Sequence, residues 1–560
     1  MKNLRTTTGR HPMDFSIRKD LHGVVQRWLS ANPSTAHSLG IHEYDGFLPD
    51  YSKERIEKRV EELKNDIEYV SRLPFKNKFE EFELELVRMR LEEELFYLTE
   101  HREFEENPLI YIFPLTMIET SYVARSFDTV ENRIRSIISM EKQIPRYLMT
   151  AKENLKQSLP SAKLNMAMQF LKGVMTFLKD NLISFIVQAD DEDLIQEWSE
   201  ANIRAVGALS EFFDSLAKDY LPKSHDDFAM GAEKFSKLLS KTESINLDLD
   251  YLLKVGEEDL ESNYYEMKKI LDERGADYIH AVQNDHPSEE DLIPTVLKSL
   301  DRTRDFLIKK DIVTLPTTQQ CNVVPTPKFA RGFAFAAMST PGPFEKDEAS
   351  EAYYWVTPPD PAWPEEKRRD FLRFFSHAFL EMVTIHEVWP GHYLQLLYNR
   401  SAESDLIKMF ARSVTMIEGY AHYTEEMVYE EGYDPFDRTK LHVGQLLGAL
   451  IRNCRYVAAI KMHTKGMTVQ EAKQLFMEKA FMTEPAAMVE ASRGTVNPMY
   501  LNYTLGKLLI KKLRRDYEQE KGGEFNLKTF HDSLLSYGSP PISLLRKMML
   551  QNPGSEQDLL

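Results

Sequence analysis

The chain has 560 residues, 42% hydrophobic and 28% charged, a composition typical of globular proteins with a large core. Its formal net charge of −18 argues against a nucleic-acid partner, because an acidic surface repels phosphate. The two cysteines, Cys321 and Cys454, are far apart in sequence, which excludes a disulfide framework and a cysteine-rich zinc site. We find no apolar run long enough for a signal peptide or a membrane span, so we expect a soluble, cytoplasmic protein with no membrane partner.

Residues 1–310 are predicted to form an N-terminal helical lobe, with its helices beginning near residue 16. Ser52 is placed to cap one of these helices, and stripes of Met and aromatic residues are assigned to the core. Five segments carry apolar residues at helical spacing: 18–33, 52–73, 80–106, 161–188 and 197–221.

The segment 311–364 is rich in Pro, Gly, Thr and aromatic residues, and it is predicted to form a small β-rich region joined by turns. Strand patterns occur in DIVTLP (311–316), FAFAAM (333–338) and AYYWVTP (352–358). The stretch from Ala334 to Met338 could pair with an extended peptide by strand addition.

Residues 365–560 are predicted to form a C-terminal helical lobe. Thr468, followed three residues later by Glu471, predicts a capping box at the start of one helix. Six segments show helical periodicity: 365–389, 401–432, 440–466, 467–482, 500–523 and 527–538.

The stretch TIHEVWPGHYLQ (384–395) contains the pair His386 and Glu387, and then His392. Catalytic zinc needs three protein ligands and one open position, and the glutamate after the first histidine can take a proton from water activated by the metal. Helical zinc motifs usually carry the second histidine four residues after the first, but here that position is Pro390.

The longer spacing requires a break in the helix. On an ideal helix, six residues would leave His392 about 120° away from facing His386. Pro390 disfavours a continuing helix, and Gly391 permits unusual dihedral angles, so a locally unwound turn could bring His392 back. The alternative is two ordinary histidines near a helix end.

A second stretch, MIEGYAHYTEEM (416–427), places Glu418 in an apolar helical context. A buried glutamate is costly unless it is paired or bound to a metal. Gly419 and Ala421 would let another backbone or a metal approach closely. His422, four residues on, could support the site or compete as a ligand. Alternatively, Glu418 is a solvent-exposed glutamate.

The motifs HEVWPGHYLQ (386–395), IEGYAHYTEEM (417–427) and NPMYLNYTLGKLLIKKLR (497–514) resemble the hallmarks of the family catalogued as domain of unknown function 885. The N-terminal WLSANPSTAHSLGIHEYDGFLPDYS and the GPFE and SEAYYWVTPPDP stretches extend the resemblance over nearly the whole chain. It implies a mainly helical, zincin-like fold related to gluzincin-type metallopeptidases. Their third ligand, a glutamate in an EGxA-like context, maps onto Glu418, and the family pattern itself carries Pro-Gly before the second histidine.

We therefore expect a zinc-dependent hydrolase, most readily a metallopeptidase that cleaves short peptides. His386, His392 and Glu418 would hold one Zn²⁺ per chain, and Glu387 would act as general base. This ligand set favours zinc, although manganese or cobalt would also bind. The fold would be a large two-lobed helical body, with a small sheet before the metal-binding helix and the active site in a cleft between the lobes.

The oxyanion needs a donor besides the metal, and the candidates are Tyr503, which we prefer, Tyr500 and His463. Arg493 could bind a substrate carboxylate in a bidentate fork. Each has a simpler alternative, namely core packing for Tyr503, a helix C-terminal position for His463 and a surface ion pair for Arg493.

Three other functions stay open at this point. The same metal and base could hydrolyse a non-peptide amide or ester. A metal-binding scaffold without turnover is a second alternative, although the intact Glu387 argues against it. A helical protein with no metal would leave the coincidence of three motifs unexplained.

Overall fold

The computed structural model describes residues 15–317, 319–327, 331, 335–346 and 351–560. Over these residues the protein is mainly helical and contains a small three-stranded sheet, which confirms the expected fold class at this level. Within the same ranges, no helix combines the length and apolar character that crossing a membrane requires.

The chain forms two compact units. The first comprises Met1–Phe228, Pro341–Ser350 and Ser404–Lys408, and the second comprises Ala229–Thr340, Glu351–Glu403 and Met409–Leu560. The continuous N-terminal part of the first unit runs to residue 228, whereas the sequence predicts an N-terminal lobe up to 310. Packing explains the difference, because the helix Leu249–Arg274 lies along the helix Arg438–Thr464 of the C-terminal region. The expected cleft between two lobes stays a prediction.

The helices between Glu103 and Ser215 bury one continuous apolar core, and the two longest of them, α7 (Val130–Asn154) and α10 (Glu192–Ser215), pack against each other. Their apolar residues recur every three to four positions, which gives each helix a single buried face. The bounds are α1 (His22–Ala31), α2 (Pro33–Ser38), α3 (Lys53–Ser71), α4 (Lys78–Phe96), α5 (Glu103–Glu106), α6 (Phe113–Met117), α7 (Val130–Asn154), α8 (Ser161–Thr176), α9 (Ile183–Ile186) and α10 (Glu192–Ser215).

The helices after residue 228 pack mainly on α20, whose buried positions surround most of its circumference, and on the pair α19 and α23. Their bounds are α11 (Ala232–Glu243), α12 (Leu249–Arg274), α13 (Tyr278–Asn284), α14 (Leu292–Lys310), α15 (Glu365–Leu372), α16 (His377–Glu387), α17 (His392–Arg400), α18 (Asp405–Phe410), α19 (Val414–Glu430), α20 (Arg438–Thr464), α21 (Val469–Lys479), α22 (Glu484–Val496), α23 (Asn502–Lys521), α24 (Leu527–Ser536) and α25 (Ile542–Met549).

The sheet consists of β1 (Asn322–Pro325), β2 (Ala336–Ser339) and β3 (Tyr353–Val356), in the order β1-β3-β2. β3 pairs in parallel with β1 and antiparallel with β2. The two later strand predictions correspond to β2 and β3, although Ala334 lies outside the described residues.

The prediction of a strand in 311–316 is wrong. Asp311 has φ 52° and terminates α14, and the residues after it run as irregular backbone. Ile312 and Val313 are buried, so their apolar character reflects anchoring in the core rather than strand pairing.

Candidate metal centre

The turn between α16 and α17 brings the two histidines together. α16 ends at Glu387 and α17 begins at His392, so the helix is interrupted as predicted from Pro390 and Gly391, and the peptide bond before Pro390 is cis. The Gly391 amide donates to the Ile385 carbonyl at 3.0 Å, and a Cβ at 391 would lie 1.8 Å from the His386 carbonyl oxygen. Only glycine fits this close approach of the two backbone segments. The resulting turn places the ring centroids of His386 and His392 4.7 Å apart.

Glu418 on α19 completes a triad with these histidines. Its Oε2 lies 3.6 Å from His386 Nε2 and 3.5 Å from His392 Nε2. A tetrahedral zinc ion with bonds of about 2.1 Å would separate its ligand atoms by about 3.4 Å. The three atoms are therefore spaced as ligands that could share one ion, and this is the set predicted from the sequence.

A second group of possible ligands, His37, His42 and Asp45, has a different geometry. The Nδ1 atoms of the two histidines lie 2.7 and 3.0 Å from the Asp45 oxygens, and His42 Nε2 lies 3.0 Å from Glu345. These are direct hydrogen-bond distances, shorter than the separation of two ligands around one ion. This group is explained as a buried hydrogen-bond network.

Glu425 supports the triad from behind. Its Oε1 lies 2.7 Å from His386 Nδ1, which leaves Nε2 of that ring to face Glu418, and Arg452 forms an ion pair with the same carboxylate at 3.0 Å. Burial raises the pKa of Glu425, but Arg452, His422 and His386 together outweigh burial and hold that pKa well below its usual range. Glu425 is therefore an anion beside His386.

Glu425 was not predicted from the sequence, in which His422 was the candidate for a supporting or competing role. His422 Nδ1 lies 3.5 Å from Glu425 Oε2, and its ring is completely buried, so burial lowers the pKa of His422 to about 4. It stands behind Glu425 and outside the triad. A signal for Glu425 was present, because seven residues after Glu418 is two helical turns on the same face.

The carboxylates of Glu418 and Glu425 favour a positive charge at the triad. Burial and Arg452 lower the pKa of His386, yet the neighbouring carboxylates of Glu418 and Glu425 outweigh them and raise it to about 9. Burial raises the pKa of Glu418, but the two histidines outweigh it and hold that pKa well below the usual range. A positive charge is stabilised here, and either protons or a divalent cation can supply it.

Glu387 lies beside the triad and contacts the sheet. Its Oε2 accepts a hydrogen bond from the backbone N–H of Met338 on β2 at 2.9 Å. Burial raises the pKa of Glu387 above its usual value, although both histidines of the triad and the Met338 amide oppose the shift. The carboxylate is thus fixed against an edge strand and is a better proton acceptor near neutral pH than an exposed glutamate.

A close helix contact places Tyr503. Gly419 on α19 lies against Gly506 on α23, where a Cβ on Gly419 would come within 2.3 Å of the Gly506 Cα. The two backbones can approach only because both residues are glycines. Tyr503, one turn before Gly506, consequently stacks on His386 with ring centroids 6.4 Å apart.

Tyr500 and His463, the other predicted donors, lie in packed surroundings. The Tyr500 ring is fully buried and its hydroxyl has no hydrogen-bond partner among the described residues, while His463 Nε2 lies 2.8 Å from the Gly494 carbonyl oxygen. Over the described part of the chain, neither contacts the triad. The predicted substrate-binding residue Arg493 precedes Gly494 on α22 and is half-buried.

Comparison with known proteins places the chain in a family. A solved structure described as "a putative lipoprotein of unknown function", from Shewanella oneidensis, is 25% identical, with a TM-score of 0.81 over 95% of this chain and 99% of that one. A second structure with a lipoprotein description, from Colwellia psychrerythraea, is 17% identical, with a TM-score of 0.77 over 95% of this chain and 96% of that one, and shows the fold alone. No curated protein matches significantly. Residues 33–549 match the family described as "Bacterial protein of unknown function (DUF885)", and the chain belongs to that family.

Proposed function

We propose that the protein is a zinc-dependent hydrolase of the gluzincin type that cleaves peptide bonds in short peptides. The observation that carries the proposal is the spacing of three atoms: Glu418 Oε2 lies 3.6 Å from His386 Nε2 and 3.5 Å from His392 Nε2. A second carboxylate, that of Glu387, lies beside the three and is not one of them. Direct hydrogen bonding among the three would give shorter distances, as in the His37 network.

His386, His392 and Glu418 would hold one Zn²⁺ per chain. A zinc ion in such a site supplies a Lewis acid that polarises a carbonyl and lowers the pKa of water toward neutrality. Two imidazoles and one carboxylate leave a ligand position open, which is the arrangement of catalytic rather than structural zinc.

Glu387 is proposed as the general base. Its raised pKa and its hydrogen bond from Met338 support the role, because the carboxylate is held in one orientation and can accept a proton at neutral pH. It would then return the proton to the leaving nitrogen. Because Glu387 lies against β2, an extended peptide chain running along that strand would bring its backbone to the base, which favours a peptide over other amides and esters.

Tyr503 is proposed to donate a hydrogen bond to the developing oxyanion. Burial raises the pKa of its hydroxyl, so the group stays protonated and able to donate, and its ring lies against His386. The surroundings of Tyr500 and His463 support packing roles for both, since each is buried against α22.

The location in the cell is a separate prediction. Both solved relatives are described as lipoproteins, and that description belongs to those proteins. A cytoplasmic location stays a prediction, which fractionation of the native cells would test.

The proposal is tested by the metal content and peptide hydrolysis of the purified protein. We expect about one zinc per chain by elemental mass spectrometry, lost in His392→Ala and retained in His422→Ala, because only the first variant removes a proposed ligand. Glu387→Gln should keep the zinc and lose about 10²–10⁴-fold in turnover of a peptide mixture.

Full turnover in Glu387→Gln would remove the proposed base. Full zinc content in His392→Ala would remove that histidine from the ligand set. Zinc-dependent hydrolysis of esters or non-peptide amides, with peptides left intact, would replace the substrate class and keep the metal site.

A further inference from the structure

Two arginines lie against the ring of Tyr503, and a third lies on the neighbouring helix α22. The guanidinium carbons of Arg452 and Arg455, both on α20, lie 5.7 and 5.2 Å from the centre of its ring. Arg493 follows Glu490 by three residues on α22, so it lies on the same side of that helix as the carboxylate that Arg455 holds. Burial and Glu418 raise the pKa of Tyr503, and the charges of all three arginines oppose the shift. Because Tyr503 stacks on His386, this arginine cluster lies next to the candidate metal centre.

Two of the three guanidinium groups form ion pairs with carboxylates. Arg455 holds Glu490 through two hydrogen bonds of 2.7 Å, and Arg452 pairs with Glu425 at 3.0 Å. The charge of Arg493 helps to lower the pKa of Glu490 without a direct contact between the two side chains. Arg493 has no hydrogen bond or ion pair with any residue that the structure describes.

The cluster therefore carries a surplus positive charge. Three guanidiniums face two carboxylates, while the charge of Glu418 is already matched by the histidines or the metal that it contacts. A cationic surplus beside the site contrasts with the −18 net charge of the whole chain. Half-burying an unpaired guanidinium costs solvation without compensation, and such groups in functional sites commonly await an anionic ligand.

The geometry of an arginine side chain indicates which anion fits. A guanidinium presents two parallel N–H donors that match the two oxygens of a carboxylate. Arg455 and Glu490 form such a pair, and Glu490 precedes Arg493 by three residues. A peptide substrate carries one such group at its end, the α-carboxylate of its last residue.

We propose that Arg493 binds the free C-terminal carboxylate of a peptide, so that the protein acts as a carboxypeptidase on short peptides; this rests on the proposed function. Water is added across a C–N bond near that end. The acyl carbon gains the hydroxyl and the departing nitrogen gains the proton, so the products are a shortened peptide acid and a small C-terminal fragment. No redox partner or co-reactant is needed.

Matched peptides test the inference. Each sequence is offered to the zinc-loaded protein as the free acid and as the C-terminal amide, and products are identified by mass spectrometry. We expect cleavage near the C-terminus of the acid, and a kcat/KM for the amide that is lower by about 10–100-fold, mainly through KM, because a charge-assisted pair is lost.

Variants assign the discrimination to Arg493. Arg493→Met keeps the aliphatic stem and removes the charge, so the acid and the amide should be cleaved with nearly equal kcat/KM and the zinc content should stay unchanged. Arg493→Lys should retain part of the preference for the acid. Arg204→Met, an exposed arginine on α10, serves as the matched control and should behave like the unaltered protein.

Two results would overturn the inference while leaving the metallopeptidase intact: equal cleavage of acid and amide by the unaltered protein, or an unchanged preference in Arg493→Met. If no peptide is cleaved by zinc-loaded protein, the proposed function fails separately. Calorimetric binding of the same two peptides to zinc-loaded Glu387→Gln then decides the inference, and equal affinity for acid and amide would refute it.

Discussion

The hydrogen bond between Glu425 and His386 fixes which imidazole nitrogen faces the candidate metal position. With Nδ1 held by the carboxylate at 2.7 Å, Nε2 is the nitrogen directed at Glu418. Supporting carboxylates of this kind orient the ligand and increase its basicity. The pair Glu425 and Arg452 is buried, so the orientation is held by side chains that have little freedom to move.

This arrangement predicts that Glu425→Gln weakens zinc binding without removing a ligand. We expect an affinity loss of about 10–100-fold, because the amide supports the imidazole less strongly than the anion does. Competition against a chelator of known affinity measures the effect.

Glu426→Gln is the matched control for Glu425→Gln. Glu426 is the next residue, is also largely buried, and pairs with Lys507 and Lys511 rather than with His386. Both variants lower the folding stability, but only Glu425→Gln should alter the zinc affinity. Equal affinity losses in the two would mean that the effect comes from general destabilisation and not from His386.

At the scale of elements, the contact between α19 and α23 determines whether Glu418 and Tyr503 can lie next to His386. A Cβ on Gly506 would lie 1.9 Å from the Thr415 carbonyl oxygen, so any other residue must push the two helices apart. Glu418 and Tyr503 sit beside this contact on opposite helices, and a shift of one helix moves a proposed ligand or a proposed donor.

We therefore expect Gly506→Ala to destabilise the protein by about 1–3 kcal/mol through overpacking, and to reduce zinc affinity as well. Gly207→Ala on α10 is the control, since a Cβ there meets nothing within 4 Å. It should stabilise its helix slightly, because alanine favours the helix by about 1 kcal/mol over glycine. Denaturant unfolding would measure both changes, and an equal sign for the two would contradict the packing argument.

Elements whose signals are local could be predicted from the sequence. The capping box of Thr468 and Glu471 is present as predicted, since both of its hydrogen bonds form within one helical turn. The interruption before His392 could also be predicted, because Pro390 and Gly391 act on the adjoining backbone. Glu418 was found because an acidic residue stands out in an apolar stretch.

Features that depend on distant partners could not be predicted. The segment 365–389 appears as one periodic helix, but Ser376 caps a new helix at α16, and nothing in the pattern distinguishes this serine from a helical one. β1 was missed because its four residues become a strand only by pairing with β3. The roles of Arg452 and Arg455 required knowing that α20 passes Tyr503.

At the scale of the whole molecule, the first unit depends on a segment from the second half of the sequence. His42 contacts both Asp45 and Glu345, and its ring stacks on Phe127. Burial lowers the pKa of His42, but the hydrogen bonds to the two carboxylates outweigh it and raise the pKa from 6.5 to about 9. Its protonated form therefore stabilises the folded unit.

The sign of this linkage gives a prediction for pH. A raised pKa contributes stability that is fully present below pH 6.5 and is lost as the pH rises through about 9. His42→Gln should therefore be less stable than the unaltered protein at pH 6, and this difference should shrink by pH 10. Denaturant unfolding at several pH values measures it, with the exposed His225→Gln as control. A constant difference across the range would show that the charge of His42 contributes nothing.

The interleaving of the two units has a consequence for synthesis on the ribosome. The first unit includes Pro341–Ser350 and Ser404–Lys408, where Phe344 packs on Phe15 and Ser404 hydrogen-bonds to Glu83. Translation proceeds from the N-terminus, so the helices up to residue 228 emerge long before these segments exist. The nascent first unit stays incomplete, with part of its surface uncovered, until about half of the second unit has also been made. Completion of one unit is thereby tied to production of the other, and a ribosome that stops before residue 408 leaves neither of them whole.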